Sequence, residues 1–238
     1  YEILRPCPRS TRPRPARAES AAVPVKAIIC DFGGVLTSPL MDAFVAFQDE
    51  TGITLEQLGV AMAHGQERIG AHPLFELECG RISEEAFLDL LRDGFEESLG
   101  HRPELHRFAE TYMDALHPNE EMIALMREIS SGHRMALLTN NVREWEPLWR
   151  AKLPVDEIFE MVVDSAFVGM RKPNPEIYEL TLSRLQDGEG GGGIEPGECL
   201  FVDDTLVNCE AARDLGWLAV HHTDNAESIP EIRSLLGD

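Results

Sequence analysis

The sequence predicts an α/β fold, a Rossmann-like parallel sheet with a block of α-helices inserted early in the chain. Three observations carry this prediction. Short uninterrupted apolar runs recur along the chain, as strands do when both faces of a sheet are covered. Segments with helical i, i+3, i+4, i+7 spacing separate them. Polar residues gather at the C-terminal ends of the runs, where open parallel sheets hold their ligands.

The first run, Ala27, Ile28, Ile29 and Cys30, leads into Asp31, Phe32, Gly33 and Gly34 and reads as a buried strand followed by a tight turn. From Ser38 to about residue 118 the pattern is helical. Ser38 and Pro39 read as an N-cap with proline at N1, Thr54 and Gln57 have capping-box spacing, and Gly80 and Gly100 stand where helices should stop. Met122, Leu125, Met126 and Ile129 form a helical stripe that Gly132 ends, before a second strand at 135–139. A helix near 143–151 follows, with Trp145 and Trp149 on one packed face, then an apolar segment at 161–163 and a helix opened by Asn174 and Pro175. A strand at 199–203, a helix from about 206 to 215 closed by Gly216 and a strand at 217–220 complete the alternation. The glycine-rich stretch 188–193 follows a helix and contains no Lys, Ser or Thr, so it reads as a flexible connector rather than a phosphate loop. The expected division is an α/β core at 26–37 and 119–238, a helical insertion at 38–118 and a disordered tail over 1–25.

That tail holds five arginines and five prolines against two glutamates, with no apolar stretch of the kind a signal peptide needs. The whole chain has 238 residues, 43% of them hydrophobic, and a net charge of −21. Such a surface repels nucleic acid and anionic lipid, and no uninterrupted apolar segment is long enough to span a membrane. Neither partner is expected. The five cysteines, Cys7, Cys30, Cys79, Cys199 and Cys209, are odd in number, widely spaced and without a CxxC pair, which argues against a disulfide framework and a zinc site. The expected compartment is the cytoplasm, and oligomeric state leaves no mark in the sequence.

The chemistry concentrates at the strand ends: Asp31 after the first, Thr139 with Asn140 and Asn141 after the second, Asp203 and Asp204 after a later one, and Lys172 in the 169–175 loop. Taken singly, each suits a helix cap or a solvated surface. Together, three acidic residues and one lysine would bind a divalent cation through carboxylate oxygens and a phosphoryl group through lysine and hydroxyl donors.

Four segments, at 31–37, 138–140, 172–175 and 201–204, match in order the four motifs of the haloacid dehalogenase superfamily, and over residues 26–235 the chain resembles that family. The long gap after the first motif resembles subfamily I, with a helical cap, and the branch holding the N-terminal phosphatase domain of soluble epoxide hydrolases. The resemblance implies hydrolysis of a small phosphorylated metabolite through an aspartyl-phosphate on Asp31. It implies Mg²⁺ held by Asp31, the Gly33 carbonyl and Asp204, with Asp203 acting through water or by pairing with Lys172. Thr139, Asn140, Lys172 and Gly34 would hold the phosphoryl group. Lys172, in a loop, is expected to matter for catalysis and not for folding.

One position departs from the family pattern. Where its phosphatases usually carry a second aspartate as general acid, this chain has Gly33. An absent acid is worth ~10²–10⁴ in rate, so the expectation is either substrates with good leaving groups, such as aryl, acyl or sugar 1-phosphates, or a substitute acid delivered by the cap or by water. The alternative is a phosphate-binding or regulatory module of weak turnover. A dehalogenase is disfavoured by the acidic pair at 203 and 204. His221 and His222 fall outside the four motifs and are read as structural.

Overall fold

The computed structural model describes residues 24–188 and 192–237. The tail expected over 1–25 lies outside the described residues except at its last two positions, and so does the centre of the 188–193 connector. After β1 (Ala27–Cys30) come α1 (Leu40–Thr51), α2 (Leu55–Ile69), α3 (Pro73–Glu78), α4 (Glu84–Leu99) and α5 (Phe108–Ala115). Next are α6 (Glu120–Ile129), β2 (Arg134–Thr139), α7 (Glu146–Lys152), α8 (Val155–Ile158), β3 (Met161–Asp164), α9 (Ser165–Val168) and α10 (Pro175–Asp187). The chain closes with β4 (Cys199–Asp203), α11 (Leu206–Asp214), β5 (Leu218–His221) and α12 (Asn225–Leu236).

All strand pairs are parallel, in the order β3-β2-β1-β4-β5. The chain winds outward from β1 to β2 and β3, then returns to the other side of β1 for β4 and β5. The reversal at β1 and β4 opens a crevice at their carboxyl ends. Strand side chains alternate between two cores. Ile28, Cys30, Met135, Leu137, Leu200 and Val202 join the core that contains α6 and α7, whereas Ala27, Ile29, Ala136, Leu138 and Phe201 pack with residues of α10 and α11. Helices therefore cover both faces, which is why the strands read as unbroken apolar runs.

The segments entering and leaving the five helices meet. Thr37 bridges Pro118 antiparallel, the Ser38 N–H donates to the His117 carbonyl at 2.7 Å, and the Asn119 N–H donates to Leu36 at 2.9 Å. The Thr54 and Gln57 capping box forms at the start of α2, satisfying two orphan backbone donors for about 1 kcal/mol. Ser38 is not the cap expected for α1. Pro39 occupies that position, and the Ser38 hydroxyl instead accepts from the His117 N–H, because the returning chain is the nearer donor. The last strand begins at Leu218 rather than Trp217, whose indole packs edge-on against Tyr178 and Phe201. Among the described residues no helix is long and apolar enough to cross a membrane.

Candidate active site

Asp31 follows β1, Thr139 ends β2, Asp203 ends β4 with Asp204 next, and Lys172 lies between α9 and α10. Because β1 is flanked by β2 and β4, these ends are neighbours. Lys172 joins them. Its Nζ lies 2.8 Å from Asp31 Oδ1 and 2.6 Å from Asp203 Oδ2, and donates to the Leu138 carbonyl at 2.8 Å. Three acceptors thus match the three ammonium hydrogens. The side chain is only 1% exposed, which corrects the expectation that a lysine in this loop lies outside the core. Burial opposes its charge, but Asp203 and Asp31 more than offset that and raise the ammonium above its ordinary range.

Asn140 holds this lysine in place. Its Oδ1 accepts the Lys172 N–H at 2.8 Å and its Nδ2 donates to the Lys172 carbonyl at 3.0 Å, so both ends of the amide are engaged within the protein. Thr139 is buried and lines the cavity beside Asp31 and Lys172.

Burial pushes the Asp31 carboxyl up to about 8; Lys172 opposes this, while Asp203 and Asp204 reinforce it. Asp203 is wholly engaged: Oδ1 accepts from the Thr205 N–H at 2.8 Å and from Asn208 Nδ2 at 2.9 Å, and Oδ2 meets Lys172. Asp204 faces the cavity instead, and burial together with the Asp203 charge raises its carboxyl. The ring Nε2 of His221 donates to the Asp204 carbonyl oxygen at 2.9 Å, bracing the residue from the last strand.

One carboxylate oxygen from each of Asp31, Asp203 and Asp204 lies within 4.8 Å of the others. Three hard-oxygen donors facing one lysine leave excess negative charge in a buried site, and this donor set fits a hard divalent cation. Gly34 serves the same cluster. With φ at +72°, it brings the backbone so close that a Cβ there would sit 2.2 Å from Asp204 Oδ2. Its N–H donates to Thr37 Oγ1 at 3.2 Å; the expected phosphate donor is therefore engaged with the turn. At Gly33 φ is ordinary, and a Cβ would instead meet Leu40 Cδ2 at 2.8 Å. A leucine of α1 approaches the place where a general acid would project.

Above the strand ends lies a cavity of about 510 Å³. Its far wall comes from the five inserted helices, through residues such as Leu40, Phe44, Leu58, Met62, Phe87 and Phe108. Glu78 and Arg171 also face it, paired at 2.6 Å, with the guanidinium 4.0 Å from the Phe75 ring. Sequence reasoning missed Leu40, Glu78, Arg171 and Asn208; His221, read as structural, braces the Asp204 backbone. Only Asn208 carries a usable signal: it lies in the first turn of the helix that follows the acidic pair.

Comparison with known proteins bears on the fold and the family. A sesquiterpene phosphatase of Aspergillus oryzae is 29% identical over 222 residues, 89% of this chain and 97% of that one. Bifunctional epoxide hydrolase 2 of Rattus norvegicus is 24% identical over 87% of this chain, which spans only 38% of the rat protein. Among solved structures, a haloacid dehalogenase family enzyme of Bacteroides thetaiotaomicron superposes with a TM-score of 0.65 at 22% identity, covering 89% of this chain and 100% of that one. The same bacterial enzyme was also solved as a magnesium complex. The description of the haloacid dehalogenase-like hydrolases matches residues 25–216, and the chain belongs to that family of enzymes.

Proposed function

We propose that this hydrolase is a Mg²⁺-dependent phosphatase acting on a small phosphorylated metabolite, with residues 38–118 as a cap over a core of 26–37 and 119–238. The observation that carries the reading is the Lys172 ammonium between Asp31 and Asp203, beside the outward-facing carboxylate of Asp204. Lys172 holds Asp31 Oδ1 and favours the ionised nucleophile, leaving the other oxygen to attack phosphorus in line. The bond from phosphorus to the departing oxygen breaks and leaves an aspartyl-phosphate, which water then hydrolyses to free Asp31 and inorganic phosphate. The Thr139 hydroxyl would bond the phosphoryl oxygens, and Lys172, whose three hydrogens go to Asp31, Asp203 and the Leu138 carbonyl, would stabilise them through its charge. Asp31, Asp204 and the Gly33 carbonyl would hold Mg²⁺, and the bound ion would supply charge neutralisation between carboxylate and phosphate. Asp203 positions Lys172.

The phosphatase names among the relatives support this reading. So does the magnesium complex of the bacterial structure, as an analogy of fold. The four described cysteines are free and buried, which suits the reducing cytoplasm. A second reading, a phosphate-binding module of weak turnover, is favoured by Gly33 and the leucine packed against it.

Release of inorganic phosphate from phenyl phosphate decides between the two. Activity should require Mg²⁺, disappear with EDTA, and fall by about 10³-fold or more in Asp31→Asn, whose amide is a poor nucleophile. Turnover at the untreated rate in EDTA, or an active Asp31→Asn enzyme, would refute the proposed chemistry.

A further inference from the structure

We infer that the substrate is a phosphate with an extended apolar body, and that the cavity beneath the inserted helices receives that body. The inference rests on the phosphatase reading for the phosphate end and on the cavity alone for the rest. Phe44 of α1, Leu58 and Met62 of α2, Phe87 of α4 and Phe108 of α5 all turn apolar side chains towards one space of about 510 Å³ that is continuous with the strand-end residues. The apolar character extends outward, because Phe75 and Val207 also line this space and are 42% and 50% exposed.

A polar body fits poorly. Beyond the strand ends, the polar side chains facing the cavity are Tyr112, Trp145, Glu78 and Arg171. Glu78 and Arg171 bond to each other, and the Trp145 indole donates to Glu84 at 2.8 Å. Among the described residues, the Tyr112 hydroxyl has no hydrogen-bond partner and Arg171 bonds through Nε alone, so the polar groups open to a ligand body are confined to one hydroxyl and one guanidinium edge. A sugar would bury several hydroxyls against aromatic and aliphatic carbon, each one left unpartnered weakening binding about tenfold. Hence, of the good leaving groups that a missing acid permits, the cavity disfavours sugar 1-phosphates and favours apolar aryl phosphates and anhydrides with a hydrocarbon body.

Calorimetry on the Mg²⁺-loaded protein with butyl- and octylphosphonate, both beyond hydrolysis, tests the cavity without requiring turnover. Full burial is worth up to about fourfold per methylene, equivalent to ~0.8 kcal/mol. Octylphosphonate should therefore bind at least ~15-fold tighter, half the full increment over four methylenes. In parallel, kcat/KM for 4-octylphenyl phosphate should exceed that for phenyl phosphate by a similar factor, with glucose 1-phosphate below both. Met62→Gln, at a half-buried position, and Leu58→Trp, which fills the space, should each shrink the octyl increment. Equal affinities for the two phosphonates, preference for glucose 1-phosphate, or an increment indifferent to both substitutions would each overturn the inference. An octyl increment without phosphate release from any ester would leave the apolar pocket standing and overturn the phosphatase reading instead.

Discussion

Two walls built on opposite principles face each other across one cavity. The strand-end wall holds Asp31, Asp203, Asp204 and Lys172, with the ammonium, both oxygens of Asp203 and one of Asp31 bonded to named partners. The helical wall is aromatic and aliphatic, and at its edge Glu78 of α3 pairs with the Nε of Arg171 from the 169–175 loop. The first wall is specified by direction: each bond fixes an angle, so few residue types serve. The second is specified by volume, since apolar packing has no directional requirement and many combinations of side chains fill the same space. A charged site tolerates little substitution and keeps its chemistry; an apolar wall can be reshaped and so can select the substrate.

The largest break in this contrast should come from Lys172→Ala. Removing the one cation leaves two engaged carboxylates buried without compensation, at a cost of ~3–5 kcal/mol. At about 2–4 °C per kcal/mol this lowers Tm by roughly 6–20 °C, contrary to what a loop position suggests. The deficit should widen above about pH 8, where the wild-type Asp31 carboxyl ionises beside Lys172 while the variant's, without the lysine that lowers it, stays protonated to higher pH and goes on costing stability. An unchanged Tm would show that the buried ammonium is dispensable.

Gly33→Asp tests the seam between the walls. Since φ there is ordinary, the obstacle is the far end of the Leu40 side chain rather than the backbone. Paired with Leu40→Ala, the new carboxyl should raise kcat/KM on alkyl phosphates by up to ~10²-fold, and alone by less, with little change on aryl esters. If wild-type enzyme hydrolyses alkyl and aryl phosphates equally fast, the missing-acid argument fails.

The smallest effect comes from a buried carboxylate without a lysine. Asp164, at the end of β3, caps α9 through Oδ1 at 2.9 Å, while its buried Oδ2 has no partner. Burial lifts its pKa to about 6, against the bond from the Ala166 N–H. The fold therefore favours the neutral form, and the stability it confers below pH 4 is lost as pH rises through 6. Asp164→Asn keeps the cap and removes the charge. It should stabilise by about 1–3 kcal/mol at pH 8 and by nothing at pH 4, read from Tm across that range. A gain independent of pH would point to packing instead.

The sequence by itself determined the strands, the order of the four chemical segments and the identity of the charged residues. Those features are local: apolar runs set β1 and β4, and Asp31, Lys172 and the acidic pair stand in short motifs at element ends. Tertiary structure decided what each residue does there. That Lys172 is buried depends on Leu138, Asp31 and Asp203, which come from three strands that only the order β3-β2-β1-β4-β5 makes adjacent. That Asn140 clamps Lys172, Gly34 seats Asp204 and His221 braces it depends on the same convergence. The apolar cavity was the least legible. Leu58, Met62 and Phe108 carry the ordinary helical pattern of core residues, and the pattern is the same whether an apolar face meets another helix or a space left for a ligand. Only the packing of five helices over the strand ends separates the two.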